Sequence, residues 1–196
     1  VKKPLFIVFL VLLADQVLKV WIKTHLQLGE EIRITDWFII HFTENPGMAF
    51  GFEWGGNWGK LLLSVFRLVT VGFIVWWLRQ LVARKVPFPG ILAVSLILAG
   101  AIGNIIDSAI YGLLFSDSDG QVATFLPEGG GYAGFLYGHV VDMFYFPLFK
   151  GFLPDWLPIW GGDYFIFFRP IFNIADTAIS VGVGLLLLVQ KSVFKD

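Results

Sequence analysis

The sequence predicts an all-α membrane protein: four transmembrane helices, a small extracytoplasmic β-sheet in one outer loop, and a second outer loop lying on the membrane surface. Three observations carry this reading. Hydrophobic residues make up 57% of the 196 residues and charged ones only 15%, where soluble domains carry roughly a quarter. Mean hydropathy is +0.75. Apolar runs of near-span length recur along the chain, each able at about 1.5 Å per residue to cross a hydrocarbon core of about 30 Å. A net charge of −1 from 14 basic and 15 acidic side chains leaves no global field to attract nucleic acid. With no cysteine there is no disulfide, thiolate nucleophile or thiolate metal site. His25, His41 and His139 lack HExxH-type spacing, which argues against metal catalysis.

The whole chain, 1–196, is read as a single polytopic domain. Residues 4–22 follow Lys2 and Lys3 and form the first span. They look at first like a signal peptide, but they run past Asp15 and Lys19 with no small-x-small site before Trp21, so they are read as a retained span. The outer loop 24–58 contains EIRITDWFIIHFT, alternating and β-branched, and then the turn-forming Asn45-Pro46-Gly47; this predicts the sheet. The second span covers 61–78, interrupted by Arg67, and the third 88–106, within an uncharged stretch from Val86 to Ile106. The long outer loop 108–170 divides in two. Its Gly- and Asp-rich first part, SDSDGQVATFLPEGGGYAGF, is expected to be a mobile excursion. Its second part, MFYFPLFKGFLPDWLPIWGGDYFIFFRP, is too aromatic for water. A fifth span is the rival reading there, but Lys150, Asp155, Asp163, Pro147, Pro154 and Pro158 argue against one continuous helix, so short segments on the membrane surface are expected. The fourth span covers 171–190.

Four spans put both termini on one side. Lys2, Lys3, Arg79, Arg84, Lys85, Lys191 and Lys195 all fall on that side, which the positive-inside rule makes cytoplasmic. The acids sort outward, with Asp196 the exception among those outside the spans. Trp21, Trp54 and Trp58 sit at outer span ends, and Trp76 and Trp77 near an inner one, where amphipathic rings favour the interface.

Ionisable groups within spans or at their edges are costly and mark functional candidates: Asp15, Lys19, Arg67, Asp107 and Asp176, with Asp142 in the apolar run HVVDMF. Asp15 and Lys19 stand i,i+4 and can neutralise each other, a structural use as good as a functional one. Asp107 and Asp176 have no base three or four residues away and need partners from elsewhere in the fold. Each lies in N-x-x-D, Asn104 to Asp107 and Asn173 to Asp176, with amide and carboxylate on one helical face. Helix capping accounts for Asn173 and Asp176 taken alone. It does not account for Asp107 at a helix C-terminus, where the macrodipole disfavours an acid. Asp107, Asp142 and Asp176 at one depth would raise at least one carboxyl pKa, so that a proton is shared and a water can be activated. Ser64, Ser95, Ser108 and Ser180 are the competing nucleophiles, but none stands in G-x-S-x-G and none has a histidine nearby in sequence.

Taken in order, Asp15-Gln16-x-x-Lys19, Asn45-Pro46-Gly47-Met48-Ala49-Phe50, Gly103-Asn104-x-x-Asp107, Val140-Val141-Asp142 and Phe172-Asn173-x-Ala175-Asp176 resemble the lipoprotein signal peptidase (type II signal peptidase) family over nearly the whole chain. The resemblance implies an aspartic peptidase of the bacterial inner membrane, acting at its outer face. Its partners would be membrane lipids and a diacylglyceryl-modified prolipoprotein, cut on the amino side of the lipidated cysteine. It also implies a monomer with no cofactor, metal or nucleic acid. The family's catalytic dyad maps to Asp142 and Asp176, a choice over Asp107 that the residues alone do not make. Asp15, Lys19, Asn45, Gly47, Asn104, Asp107, Asn173 and Ala175 map to supporting or substrate-binding positions. Two departures stand out. Ser108 occupies a position where the family usually has Arg, with Arg67 and Arg169 as candidate replacements. The connection from Asp107 to Asp142 is longer than usual, and is either a lid or partner surface or a tolerated insertion. A proton-coupled transporter using the buried aspartates is the alternative of another class; it would place acids near the midplane and relate the two halves by a repeat.

Overall fold

The computed structural model describes residues 2–46 and 56–194. Gly47 to Phe50 of the second motif, Trp54, Lys195 and Asp196 lie outside the described residues. Among the described residues four helices are long and apolar enough to cross a membrane: α1 (Lys2–His25), the Trp58–Ala83 part of α2 (Gly56–Ala83), α3 (Phe88–Leu114) and α4 (Ile174–Val193). The break between α2 and α3 is local. Lys85 takes a left-handed φ of 54°, and Pro87 cannot continue a helix. Helix α3 is the centre of the bundle, packed against α1, α2 and α4. Its seam with α4 is built of small residues: Gly100 and Gly103 meet Ala175, and Ala93 meets Gly182. A Cβ on Gly100 would lie 2.1 Å from the Ala175 carbonyl oxygen. Lipid tails are as apolar as leucine, so helix association in a bilayer depends on such close backbone approach rather than on apolar burial.

Helix α3 does not stop at residue 106. It continues as a π-turn over Asp107–Tyr111 and a last α-turn to Leu114, which corrects the expectation that Asp107 sits at a helix C-terminus. The helix passes through Asp107 because its carboxylate meets a cation there, as described below; wide π-turns of this kind recur at functional sites.

The strands are β1 (Glu31–Arg33), β2 (Ile39–Asn45), β3 (Val140–Tyr145), β4 (Phe149–Phe152), β5 (Tyr164–Phe167) and β6 (Ile171–Phe172). An antiparallel sheet runs in the order β1-β2-β3-β6, and β4 pairs with β5 as a separate hairpin. Ile40 faces Phe144 and Thr43 faces Asp142, so three steps along β2 match two along β3. The bulge bends β2 beside Asp142, the use bulges often serve near active sites. The aromatic segment is therefore this hairpin, and Phe149, Phe152, Trp156, Trp160 and Phe167 are exposed on it.

The Gly- and Asp-rich connection, expected to be mobile, is instead tied down. Gly138 donates its N–H to the Ser108 carbonyl at 2.9 Å, and a Cβ there would stand 2.2 Å from the Asp107 carbonyl oxygen. Leu126 and Ala133 donate back to the Leu114 and Gly112 carbonyls. Beneath it lies a buried ion pair that the sequence reading did not single out. Lys23, on α1, pairs with Glu44 of β2 and donates to Ser118 Oγ at 2.8 Å, while Ser118 donates to Glu44 at 2.9 Å. The Lys23 ammonium sits 4.9 Å from the Tyr132 ring centroid and 5.7 Å from that of Phe115. Burial alone would raise the Glu44 carboxyl, but His139, Lys23 and Ser118 bring it down from an ordinary 4.5 to about 2. The pair therefore stabilises the fold above that ordinary value and loses its contribution as pH falls through about 2. Removing residues 116–134 takes away both Ser118 and Tyr132. The expected result is a fold weakened by about 1–3 kcal/mol, since the Lys23–Glu44 pair loses the Ser118 hydrogen bonds and the ring over the ammonium, read as a lower thermal unfolding midpoint in detergent. An unchanged midpoint would make the segment a dispensable insertion.

Candidate active site

The site is built where the C-terminal halves of α1 and α3 and the N-terminal end of α4 meet β3. Helix α1 contributes Asp15, Gln16 and Lys19. The Lys19 ammonium is fully buried and contacts Asp15 Oδ2 at 2.9 Å, Asp107 Oδ2 at 2.8 Å and Asn104 Oδ1 at 3.0 Å. The i,i+4 pair thus extends into a three-residue bridge from α1 to α3. Asp15 also accepts the backbone N–H of Ala175 through Oδ1 at 2.9 Å, which pins the start of α4. This contact explains the small residues around it: a Cβ on Gly103 would stand 2.8 Å from Asp15 Oδ2 and 3.1 Å from the Ala175 Cβ. Gln16, present in the first motif but not singled out, donates to Asp107 Oδ1 at 2.9 Å and to Asp15 Oδ2 at 3.1 Å, and accepts from the Tyr111 hydroxyl. A glutamine beside an aspartate inside an apolar span was the available signal.

Asp107 is fully occupied. Besides Lys19 and Gln16 it accepts the backbone N–H of Val141 at 3.2 Å, and it is 0% exposed. These contacts make it a strut that seats β3 against α3, with no face turned toward a reacting group.

Asp142 and Asp176 are held differently. Asn173 is the N-cap of α4 and forms a capping box in which its side chain accepts from the Asp176 N–H at 2.9 Å and the Asp176 carboxylate accepts from the Asn173 N–H at 3.4 Å. The Asn173 amide nitrogen donates to Asp142 Oδ1 at 2.7 Å and to Asn104 Oδ1 at 3.1 Å. The Asn104 amide nitrogen donates in turn to Asp176 Oδ1 at 2.8 Å. The two N-x-x-D motifs therefore interlock, each asparagine serving a carboxylate on another element. Asp142 is 4% exposed. Burial, then the negative charge of Asp176, push its carboxyl up to about 7, against the opposing pull of Lys19 and of the Asn173 hydrogen bond.

Asn45 ends β2 opposite Val140, two residues before Asp142, and Ala175 is buried within the first turn of α4. Of the two arginines, Arg169 is exposed between β5 and β6, whereas Arg67 reaches Ser108 Oγ at 3.4 Å. Among the described residues no group of three or more His, Asp or Glu side chains is arranged to hold a metal ion.

Residues 7–191 match the family model described as signal peptidase (SPase) II. A lipoprotein signal peptidase of Porphyromonas gingivalis (strain ATCC BAA-308 / W83) is 52% identical over 183 residues, covering 93% of this chain and 80% of the relative. One from Amoebophilus asiaticus is 37% identical over 190 residues, covering 95% and 76%. One from Pelodictyon phaeoclathratiforme is 30% identical over 192 residues, covering 96% and 89%. A bacterial membrane enzyme solved by the in meso method at 1.9 Å resolution superposes with a TM-score of 0.59 at 23% identity, covering all of this chain and 95% of that one, which makes the fold a known one. With a match that runs through every element just described, the chain belongs to the signal peptidase II family.

Proposed function

We propose that this peptidase removes the signal peptide from diacylglyceryl-modified prolipoproteins, cutting on the amino side of the lipidated cysteine, by an aspartic mechanism on Asp142 and Asp176. One observation carries the reading: Asn173 ties both carboxylates together, donating its side-chain amide to Asp142 and its backbone N–H to Asp176 in the capping box. Asp176 accepts hydrogen bonds on both oxygens and serves as the ionised partner that takes a proton from water. Asp142, with a carboxyl held near neutrality, keeps its proton and donates it to the scissile carbonyl. When the carbon–nitrogen bond breaks, the proton gained by Asp176 passes to the leaving amine and a hydroxyl proton of the tetrahedral intermediate returns to Asp142. Asn45, Asn104 and Ala175 line or shape the path of the substrate, and Asp15, Lys19 and Asp107 keep that frame in place.

The basic residues Lys2, Lys3, Arg79, Arg84, Lys85 and Lys191 assign the end of the bundle opposite the aspartates to the cytoplasm. The dyad then opens at the outer face of the inner membrane. The substrate's acyl chains stay in the bilayer beside the spans, and the exposed aromatic rings of the β4–β5 hairpin rest at the lipid interface above them. The chain works as a monomer. A transporter finds no support, since the acids gather at one end of the bundle and not at its midplane.

The test is incubation of the purified protein in lipid nanodiscs with a diacylglyceryl-modified precursor and, in parallel, its unmodified form. The lipidated precursor should shift in mobility and the unmodified one should not. No shift with either sinks the reading. The mechanism also sets a pH dependence. Activity requires Asp142 protonated, so kcat/KM should fall as pH rises through about 7. A profile flat across that range would remove Asp142 as the acid.

A further inference from the structure

The acids of the site outnumber the cations that touch them. Asp15, Asp107, Asp142 and Asp176 are joined into one hydrogen-bonded cluster through Gln16, Lys19, Asn104 and Asn173. Among the described residues the ammonium in direct contact with that cluster is Lys19, which is committed to Asp15 and Asp107. Lys23 is spent on Glu44. Four carboxyl groups, those of Asp15, Asp107, Asp142 and Asp176, thus share one ammonium at the edge of an apolar bundle. Such an excess raises carboxyl pKa values and works against keeping one aspartate of a dyad ionised.

Arg67 comes from a different element. It stands within α2 in the run LLLSVFRLVTVGFIVWWL, where a guanidinium facing lipid would be costly. It is half-buried and turned inward, donating to Ser108 Oγ at 3.4 Å; Ser108 in turn donates to the Asn104 carbonyl at 3.0 Å. Asn104, whose carbonyl holds Ser108, donates its amide to Asp176 Oδ1 at 2.8 Å, and among the described residues Asp176, Asp107 and Asp142 are the acids whose charge reaches the guanidinium.

Resting on the aspartic-peptidase reading above, we propose that Arg67 is the positioning residue that supplies the missing charge of the dyad, delivered from α2 and seated on Ser108. It forms no bond with substrate in this account. Its positive field holds Asp176 ionised while Asp142 keeps its proton, and Ser108 is the small hydroxyl residue that leaves room for the guanidinium. Among the described residues the groups that face it are Asp107 and Ser108 on α3, Asp142 on β3 and Asp176 on α4, with Asp15 and Lys19 of α1 behind them.

The test transposes the charge. In the full-length protein in nanodiscs, the Asp142 carboxyl is titrated by difference infrared spectroscopy, its band assigned by loss in D142N. The same titration is run on R67Q, R67K and the double variant R67Q/S108R. Removing a cation raises a neighbouring carboxyl, so R67Q should titrate about one pH unit higher than wild type. R67K should stay near wild type, and R67Q/S108R, which returns the cation to the residue Arg67 touches, should move back toward it. In the cleavage assay the falling limb of the pH profile should move with the titration, and the maximal rate of R67Q should drop by at least about tenfold. An unshifted titration in R67Q overturns the proposal, whatever happens to the rate. So does a rate loss that tracks a lowered unfolding midpoint with the limb unmoved, or a protein that reaches the membrane only with Arg or Lys at 67 and is not recovered by S108R. A shifted titration in a protein that cleaves no prolipoprotein leaves the charge relation standing and removes the substrate reading instead.

Discussion

Asp142→Asn and Asp176→Asn are each expected to abolish prolipoprotein cleavage, by about a thousandfold or more, while the protein stays folded. General acid–base catalysis by a positioned group is worth roughly 10²–10⁴-fold, and each variant removes one half of a proton traffic in which the two carboxyls act together. The local geometry makes the two variants unequal in stability. At position 142 an amide retains an oxygen for the Asn173 donor, whose bond to Oδ1 is 2.7 Å, and the buried acid had no need of its charge to fold. Asp142→Asn should therefore unfold at or slightly above the wild-type temperature. At position 176 the carboxylate closes the capping box and accepts from Asn104, so an amide there keeps one acceptor and loses the charge at a helix N-terminus, at a cost of about 1 kcal/mol. The measurement is the precursor mobility shift together with thermal unfolding of each variant. Retained cleavage in either one would remove that residue from the dyad.

The largest effect on stability is expected at Lys19. Lys19→Met keeps the length of the side chain but leaves Asp15 and Asp107 facing each other in a site where both are about fully buried. Removing one partner of a buried charge group costs about 3–5 kcal/mol, because the charge left behind has neither water nor a counterion. The loss would be concentrated where Asp15 holds the Ala175 N–H and Asp107 holds the Val141 N–H, the contacts that fix α4 and β3. Activity should fall with stability, and both should recover in part in the triple variant with Asn at 15 and 107, since the uncompensated charges are then gone. Thermal unfolding in detergent across the series checks this. A Lys19→Met protein as stable as wild type would mean that water or a second cation reaches the site.

How much of this was legible in the chain depends on the range of the interaction. The spans, the sheet on EIRITDWFIIHFT and the N-x-x-D pairs are local patterns, readable from hydropathy, alternation and spacing, and the matching family carries the order of its motifs. Asp107 shows where local reading runs out. Its sequence neighbourhood looked like a helix end because nothing nearby could neutralise it, yet Lys19, eighty-eight residues earlier (107 less 19), does so and lets α3 run on. The same limit hid Lys23, whose partners Glu44 and Ser118 come from two different loops. It also explains the excursion mistaken for a mobile one: Gly131 within it and Gly138 just after it serve close approach to the last turns of α3. The aromatic stretch was correctly denied a single helix, but hairpin pairing depends on register across Gly151 and Phe165, which composition does not show.

The capping box gives the chemistry a safeguard. The carboxylate that would activate water is also the one that closes the first turn of α4, and the asparagine that caps the turn also grips the other acid. If that end of the helix frays, Asp176 swings away from Asn104 and Asp142 loses its donor in the same event. A partly melted molecule is therefore an inert one, and a hydrolase embedded among other membrane proteins is switched off by its own local disorder before it can act on the wrong chain.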